Sequence, residues 1–219
     1  MTTESLAPQV RPLLRGVLHQ GAFFVAVAIG ILVSVYAEGT RATVAAAIFA
    51  ASVVGMLGAS TLYHRVTWTP PVRLWMRRLD HAGIYLLIAG TYTPVGLMVL
   101  RGTTRDVVLA VVWSGAALAI ALKFLWVGAP KWLSAAIGLA LGWVGVFAMP
   151  QVWSHAGAAA VVLLGVGGLA YTIGALVYAF RRPRLAPAVF GYHELFHALT
   201  LVAVACQYVA IAFFVLHIG

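Results

Sequence analysis

The chain has 219 residues, 63% of them hydrophobic and 9% charged, and its mean hydropathy is +1.00. Ordinary globular domains are about 25% charged, so this composition excludes a soluble fold, and no stretch is polar enough to form a separate soluble domain. The net charge of +9 would point to nucleic acid in a soluble protein. Here the basic residues fall in short segments between apolar runs, which membrane topology explains without nucleic acid. The single cysteine, Cys206, excludes an internal disulfide.

Runs of roughly 20 apolar residues, enough to cross a bilayer, recur at about 17–37, 43–64, 80–100, 107–127, 132–149, 157–180 and 195–217. They predict an all-α, polytopic seven-transmembrane helix bundle, one domain over residues 1–219. Val35-Tyr36-Ala37 could pass for a signal-peptidase site. The apolar run before it exceeds a usual signal core, and the leader contains Glu4 and Pro8, so it reads as the first span. With seven spans, eleven of the 14 Lys and Arg residues, among them Arg11, Arg15, Arg77, Lys131 and Arg184, lie on the side of the N-terminus. Only Arg41, Arg101 and Arg105 lie on the other. This bias predicts a cytoplasmic N-terminus and an external C-terminus, in a multi-pass protein of the cell's inner (plasma) membrane. Trp68, Trp75, Trp126 and Trp132 fall near the inner boundary, where indole rings favour the interface. Gly138-xxx-Gly142 is expected to allow close helix packing.

Ionisable groups inside a membrane are costly and usually functional. The chain has five acidic residues, Glu4, Glu38, Asp80, Asp106 and Glu194, and two of them stand beside histidines. Ser60-Thr61-Leu62-Tyr63-His64 closes the second span, Asp80-His81 opens the third, and His193-Glu194-Leu195-Phe196-His197 opens the seventh. Residues four apart share a helical face, so His193 and His197 can present two imidazoles to one ion, and Ser60 shares a face with His64. The second span runs inward while the third and seventh start inside, which brings all three groups to one depth near the cytoplasmic face. Three neutral imidazoles with an open fourth position form the pattern of a catalytic Zn2+ site. Cys206 points away from the His193/His197 face. His19, His155 and His217 lack a paired partner and read as interfacial, and His81 is rotated from Asp80 by about 100°.

At these residues the sequence resembles the haemolysin III and progestin/adipoQ receptor family. The match lies in Ser60-xxx-His64, in Leu79-Asp80-His81-Ala82-Gly83-Ile84 leading to Gly90-Thr91-Tyr92-Thr93-Pro94, and in His193-Glu194-Leu195-Phe196-His197. The resemblance implies seven helices and a zinc ion held by His64, His193 and His197. It places Asp80 in contact with that zinc through a water, and Ser60 beside it. The family's animal members are similar in turn to the alkaline ceramidases, membrane amidases with the same Ser/His/Asp/His/His pattern. The short segment before the first span favours a bacterial-type member over a hormone receptor.

The resemblance thus implies a hydrolase in which zinc acidifies a water, Asp80 is general base and then acid, and Ser60 steadies the water or an oxyanion. Its substrate would be a membrane lipid amide, ceramide-like, taken from the bilayer. Two other readings stand beside it. Zinc could brace the helix ends of a non-enzymatic receptor or regulator of membrane physiology, with a lipid as ligand. His193-Glu194-xx-His197 also fits the HExxH pattern of an intramembrane metalloprotease with Glu194 as base, which would leave Ser60 and His64 without a role. The spans hold too few polar residues to line a pore, and the seventh has no lysine for a retinal Schiff base.

Overall fold

A computed structural model describes residues 12–183, 185, 186 and 188–218. Arg11 and Arg184, counted above among the inner charges, lie outside the described residues, as do Glu4 and Pro8. The order of elements is α1 Val17–Val35, α2 Thr40–Arg65, α3 Pro70–Pro94, α4 Gly102–Leu125, α5 Lys131–Trp143, α6 Met149–Phe180 and α7 Tyr192–Ala210. Val144–Ala148 is a 3₁₀ turn between α5 and α6, and π turns at Val95–Val99 and Ile211–Val215 extend α3 and α7. The described residues contain no strand beyond an isolated bridge between Ala186 and Phe190.

Six of these helical stretches are long and apolar enough to cross a bilayer. Sequence reading separates a fifth and a sixth span, whereas the structure runs them together as Lys131–Phe180, 50 residues. A straight helix of that length would measure about 75 Å, more than twice the hydrocarbon thickness. The run is not straight. Gly157 has φ 83° and ψ 173°, a backbone conformation that only glycine adopts readily, and Trp143 Nε1 donates to Thr172 Oγ1 at 3.2 Å. Those residues would be some 40 Å apart on a continuous helix, so the chain doubles back at Gly157. The freed carbonyls where α5 tightens are met by Tyr92, whose hydroxyl donates to Leu141 O at 3.2 Å and Gly142 O at 2.5 Å.

The packing is that of a membrane protein. Large apolar side chains point outward, with Leu118 73%, Phe147 76% and Phe213 68% exposed, an arrangement that water would not tolerate. The interior is built from small residues: Ala42, Ala45, Ala46 and Ala89 are fully or almost fully buried, with Phe49 and Val53 between them. Helices α2 and α3 approach closely because a Cβ at Gly83 would stand 3.1 Å from Met56 Cα, and one at Gly90 would stand 2.1 Å from Ser52 Oγ. The expected close-packing pair is a different matter. Gly142 has nothing within 4 Å of its Cβ position and Gly138 only the tip of Ile88, at 3.9 Å, so the Gly138-xxx-Gly142 pattern does not serve helix packing.

Helix α3 starts at Pro70, ten residues before the expected span. Two prolines at its first positions fit a helix N-terminus, where no N–H is needed. Arg73, Arg77 and Arg78 therefore lie on a helix, and two of their guanidinium groups lie over aromatic rings, that of Arg73 5.2 Å from the Tyr63 ring centre and that of Arg78 4.7 Å from the Trp75 ring centre. Asp80 and His81 are inside α3 and do not open it.

Gly90→Ala is expected to destabilise the protein in detergent by about 1–3 kcal/mol, through overpacking against Ser52. Gly142→Ala should be neutral or slightly stabilising, since its Cβ meets open space. Thermal unfolding of the two variants checks both.

Candidate metal centre

Four helices deliver polar groups to one place. The last turn of α2 carries Ser60 and His64, the first turns of α7 carry His193 and His197, α3 carries Asp80, and the first turn of α1 carries His19. One ligand nitrogen from each of His64, His193 and His197 lies within 4.8 Å of the others. His64 Nε2 and His193 Nε2 are 3.2 Å apart. Nitrogens on a tetrahedral ion bound at 2.0–2.1 Å stand about 3.3 Å from one another, so the spacing of this pair fits two ligands of one ion. The three histidines could hold a metal.

Asp80 Oδ2 is 3.7 Å from His64 Nε2, close enough to face the same point yet outside the tight trio of nitrogens. Ser60 is buried, and its hydroxyl pairs with His19 Nδ1 at 2.8 Å. His19 in turn stacks on His197, with ring centroids 3.8 Å apart and planes within 8°. A cavity of about 30 Å³ touches His19, Ser60, Asp80, His81, His193 and His197, and this is space for a small ion and one or two waters.

His19 is the residue that sequence reasoning missed. The expectation of an interfacial histidine is corrected: it is 2% exposed and part of the site. The criterion of an i, i+4 partner excluded it, while the depth rule that united His64 with His193 applies equally to the inner end of the first span. His155 and His217 are exposed, as expected of interfacial residues. Cys206 packs toward Gly167 on α6, away from the histidines.

Glu194 is 1% exposed and already occupied. One carboxylate oxygen accepts the Gly191 N–H at 2.8 Å and caps α7, while the other receives the Arg15 guanidinium. Backbone bonds from Leu13 N to Ala188 O (3.0 Å) and Leu14 N to Val189 O (3.2 Å) hold the segment before α1 beside the one before α7. Gly16, at φ 77°, then passes so close to His64 that a Cβ would stand 2.6 Å from that of the histidine. A side chain there would dislodge His64.

This arrangement sits within residues 8–208, which match the family model described as haemolysin-III related. The chain belongs to that family. It is 30% identical over 167 residues to the hemolysin-3 homolog of Bacillus subtilis (strain 168), covering 76% of this chain and 75% of the relative. It is 31% identical over 175 residues to hemolysin-3 of Bacillus cereus, 80% and 77% of the two chains. A plant protein is also similar, the heptahelical transmembrane protein ADIPOR2 of Oryza sativa subsp. japonica, at 33% over 149 residues, 61% of this chain and 65% of the relative. Family and helices together make this a multi-pass membrane protein.

Replacing His64, His193 or His197 with Ala is expected to lower metal content, and His193→Ala/His197→Ala to reduce it nearly to background by elemental analysis. A metal bound only to the folded protein stabilises it by on the order of 2.7 kcal/mol at a hundredfold excess over Kd, so chelation should lower the unfolding temperature of the wild type and leave that of the double variant unchanged.

Proposed function

We propose that this protein is a zinc-dependent hydrolase that draws a lipid amide from the bilayer. The observation that carries the reading is the carboxylate of Asp80, 3.7 Å from His64. It stands at the edge of three imidazoles, and no Lys or Arg salt bridge engages it among the described residues. A purely structural site needs only its ligands, whereas hydrolysis needs a base beside them. Zinc, when bound by His64, His193 and His197, supplies Lewis acidity and lowers the pKa of water toward 7. Asp80 would take one of the water's protons as the oxygen joins the amide carbon, and return it to the nitrogen as the C–N bond breaks, leaving a carboxylic acid and an amine. Ser60, held by His19, orients the water or donates to the developing oxyanion.

The non-enzymatic reading keeps one specific support. The histidines join α2 to α7 across 129 positions of chain, so an ion there would brace the bundle with or without chemistry. The metalloprotease reading loses its base, because Glu194 is consumed by Arg15 and the α7 cap.

The two limbs of Lys131–Phe180 are taken as separate spans, giving seven crossings in a single membrane domain. The doubling back at Gly157 and the heptahelical name of the rice relative support this count. With the excess of basic residues, it sets the N-terminus and the metal centre toward the cytoplasm of a plasma-membrane protein, and the C-terminus outside.

Two experiments test these readings. On a Cys206→Ser background, a cysteine at Thr67 should be shielded from impermeant thiol reagent in intact cells while one at Thr103 reacts; the reverse pattern would invert the topology. Asp80→Asn should keep its zinc and lose about 10²–10⁴-fold in the rate of ceramide hydrolysis by purified protein, the usual contribution of a general base. Loss of zinc would make Asp80 a ligand, and equal physiological activity with no hydrolysis in either protein would establish the brace.

A further inference from the structure

Beside the metal centre stands a group of cations that nothing in the proposed chemistry uses. Lys123, in the last turn of α4, is 2% exposed, and its ammonium donates to Ser134 Oγ. Lys131, at the start of α5, lies 4.6 Å from the Tyr178 ring centre and 4.9 Å from that of Tyr192, and donates to the Tyr192 hydroxyl at 2.8 Å. Arg77 stands one turn before His81 on α3, on the same helical face. Tyr85, one turn after His81 on α3, donates to Ser134 O at 3.2 Å, so Lys123, bound to the same serine, stands by the side of α3 that carries His81.

Burying an ammonium without a counter-ion is expensive, and the chain has few anions to offer. Of five acidic residues in the whole sequence, Asp106 pairs with Arg105 and Glu194 with Arg15. Asp80 is turned to His64. No carboxylate pairs with Arg77, Lys123 or Lys131 among the described residues. The positive-inside rule accounts for cations that extend to the water, and Lys123 does not. A second observation points the same way: His81 Nδ1 is buried with no hydrogen-bond partner, and His81 lines the metal cavity, as does Tyr178 beneath Lys131. The cavity is thus lined by the clustered imidazoles and by an unused imidazole nitrogen, and Lys131 stands behind its Tyr178 wall.

We propose that His81, Lys123, Lys131 and Arg77 form an anion-binding subsite adjoining the metal centre, which takes the phosphate of a lipid headgroup. The subsite goes beyond the hydrolase reading and does not depend on it, since a phospholipid ligand would occupy it whether or not an amide is cleaved. A phosphomonoester presents three free oxygens and a phosphodiester two, each able to accept more than one hydrogen bond, enough to engage the two lysines, the guanidinium and the imidazole N–H.

The test uses full-length purified protein in neutral detergent, with dihexanoyl phosphatidic acid, dihexanoyl phosphatidylglycerol, dihexanoyl phosphatidylcholine and inorganic phosphate as probes. Binding is read by titration calorimetry and by the shift of thermal unfolding. The two anionic lipids should bind and stabilise the wild type, and phosphatidylcholine should bind at least about tenfold more weakly. Lys123→Met and Lys131→Met should each weaken the anionic lipids by about tenfold or more, the usual loss for one charge-assisted hydrogen bond. Circular dichroism and gel filtration confirm that each variant is folded, and Arg77→Gln replaces one that is not. Inorganic phosphate binding with the same sensitivity, and more tightly than either lipid, would overturn the lipid source. Anion binding that is absent from the wild type, or unchanged in the folded variants, would overturn the subsite.

Discussion

Two imidazole nitrogens, on His64 and His193, face each other at 3.2 Å at the end of the helix bundle. A neutral imidazole has one donor and one acceptor nitrogen, so two Nε2 atoms at this distance either share a proton or share a cation. His197 brings a third nitrogen within 4.8 Å, and one cation could satisfy all three at once. The last turn of α2 thereby meets the first turn of α7, and the neighbouring structure holds the two together. Glu194 caps α7 and anchors Arg15, Arg15 fixes the chain ahead of α1, and Gly16 lets that chain pass against His64.

The small-residue interior gives the site its rigidity. In hydrocarbon the large apolar side chains gain nothing by turning inward, so the helices are held by close contact of backbones. At α2 and α3 this requires glycine opposite Ser52 and Met56, and the contact sets where Asp80 stands relative to His64. Position on α3 and chemistry at α2 are therefore coupled through two residues that carry no functional group.

Much of this was legible in the sequence, because hydropathy marks spans and a polar residue inside a span is conspicuous. Asp80, Ser60 and the three histidines stood out for that reason, and topology alone brought them to one depth. The features that escaped depend on contacts between helices. His19 has no partner along its own helix and acquires one only when α1 meets α2 and α7. The early start of α3 was hidden by its arginines, which read as a polar loop until the guanidinium groups of Arg73 and Arg78 are seen lying over aromatic rings. Gly138 and Gly142 carry a packing pattern on a face that meets almost no neighbour, since a spacing of four says which residues share a face and not what that face touches.

The cavity has walls of unequal character. His19, Ser60 and His197 are locked by a hydrogen bond and a ring stack, whereas Met56, Ile84 and Phe196 complete the lining with apolar side chains. Methionine has three rotatable bonds and a polarizable sulfur, and it repacks at little cost. A volume of about 30 Å³ holds water and not an acyl chain, so on the proposed reading a lipid would reach the histidines only by pushing the compliant wall aside. Discrimination among lipids would then reside in how far Met56 and Phe196 yield, while the locked polar wall would meet the same head-on geometry whatever chain lay behind it.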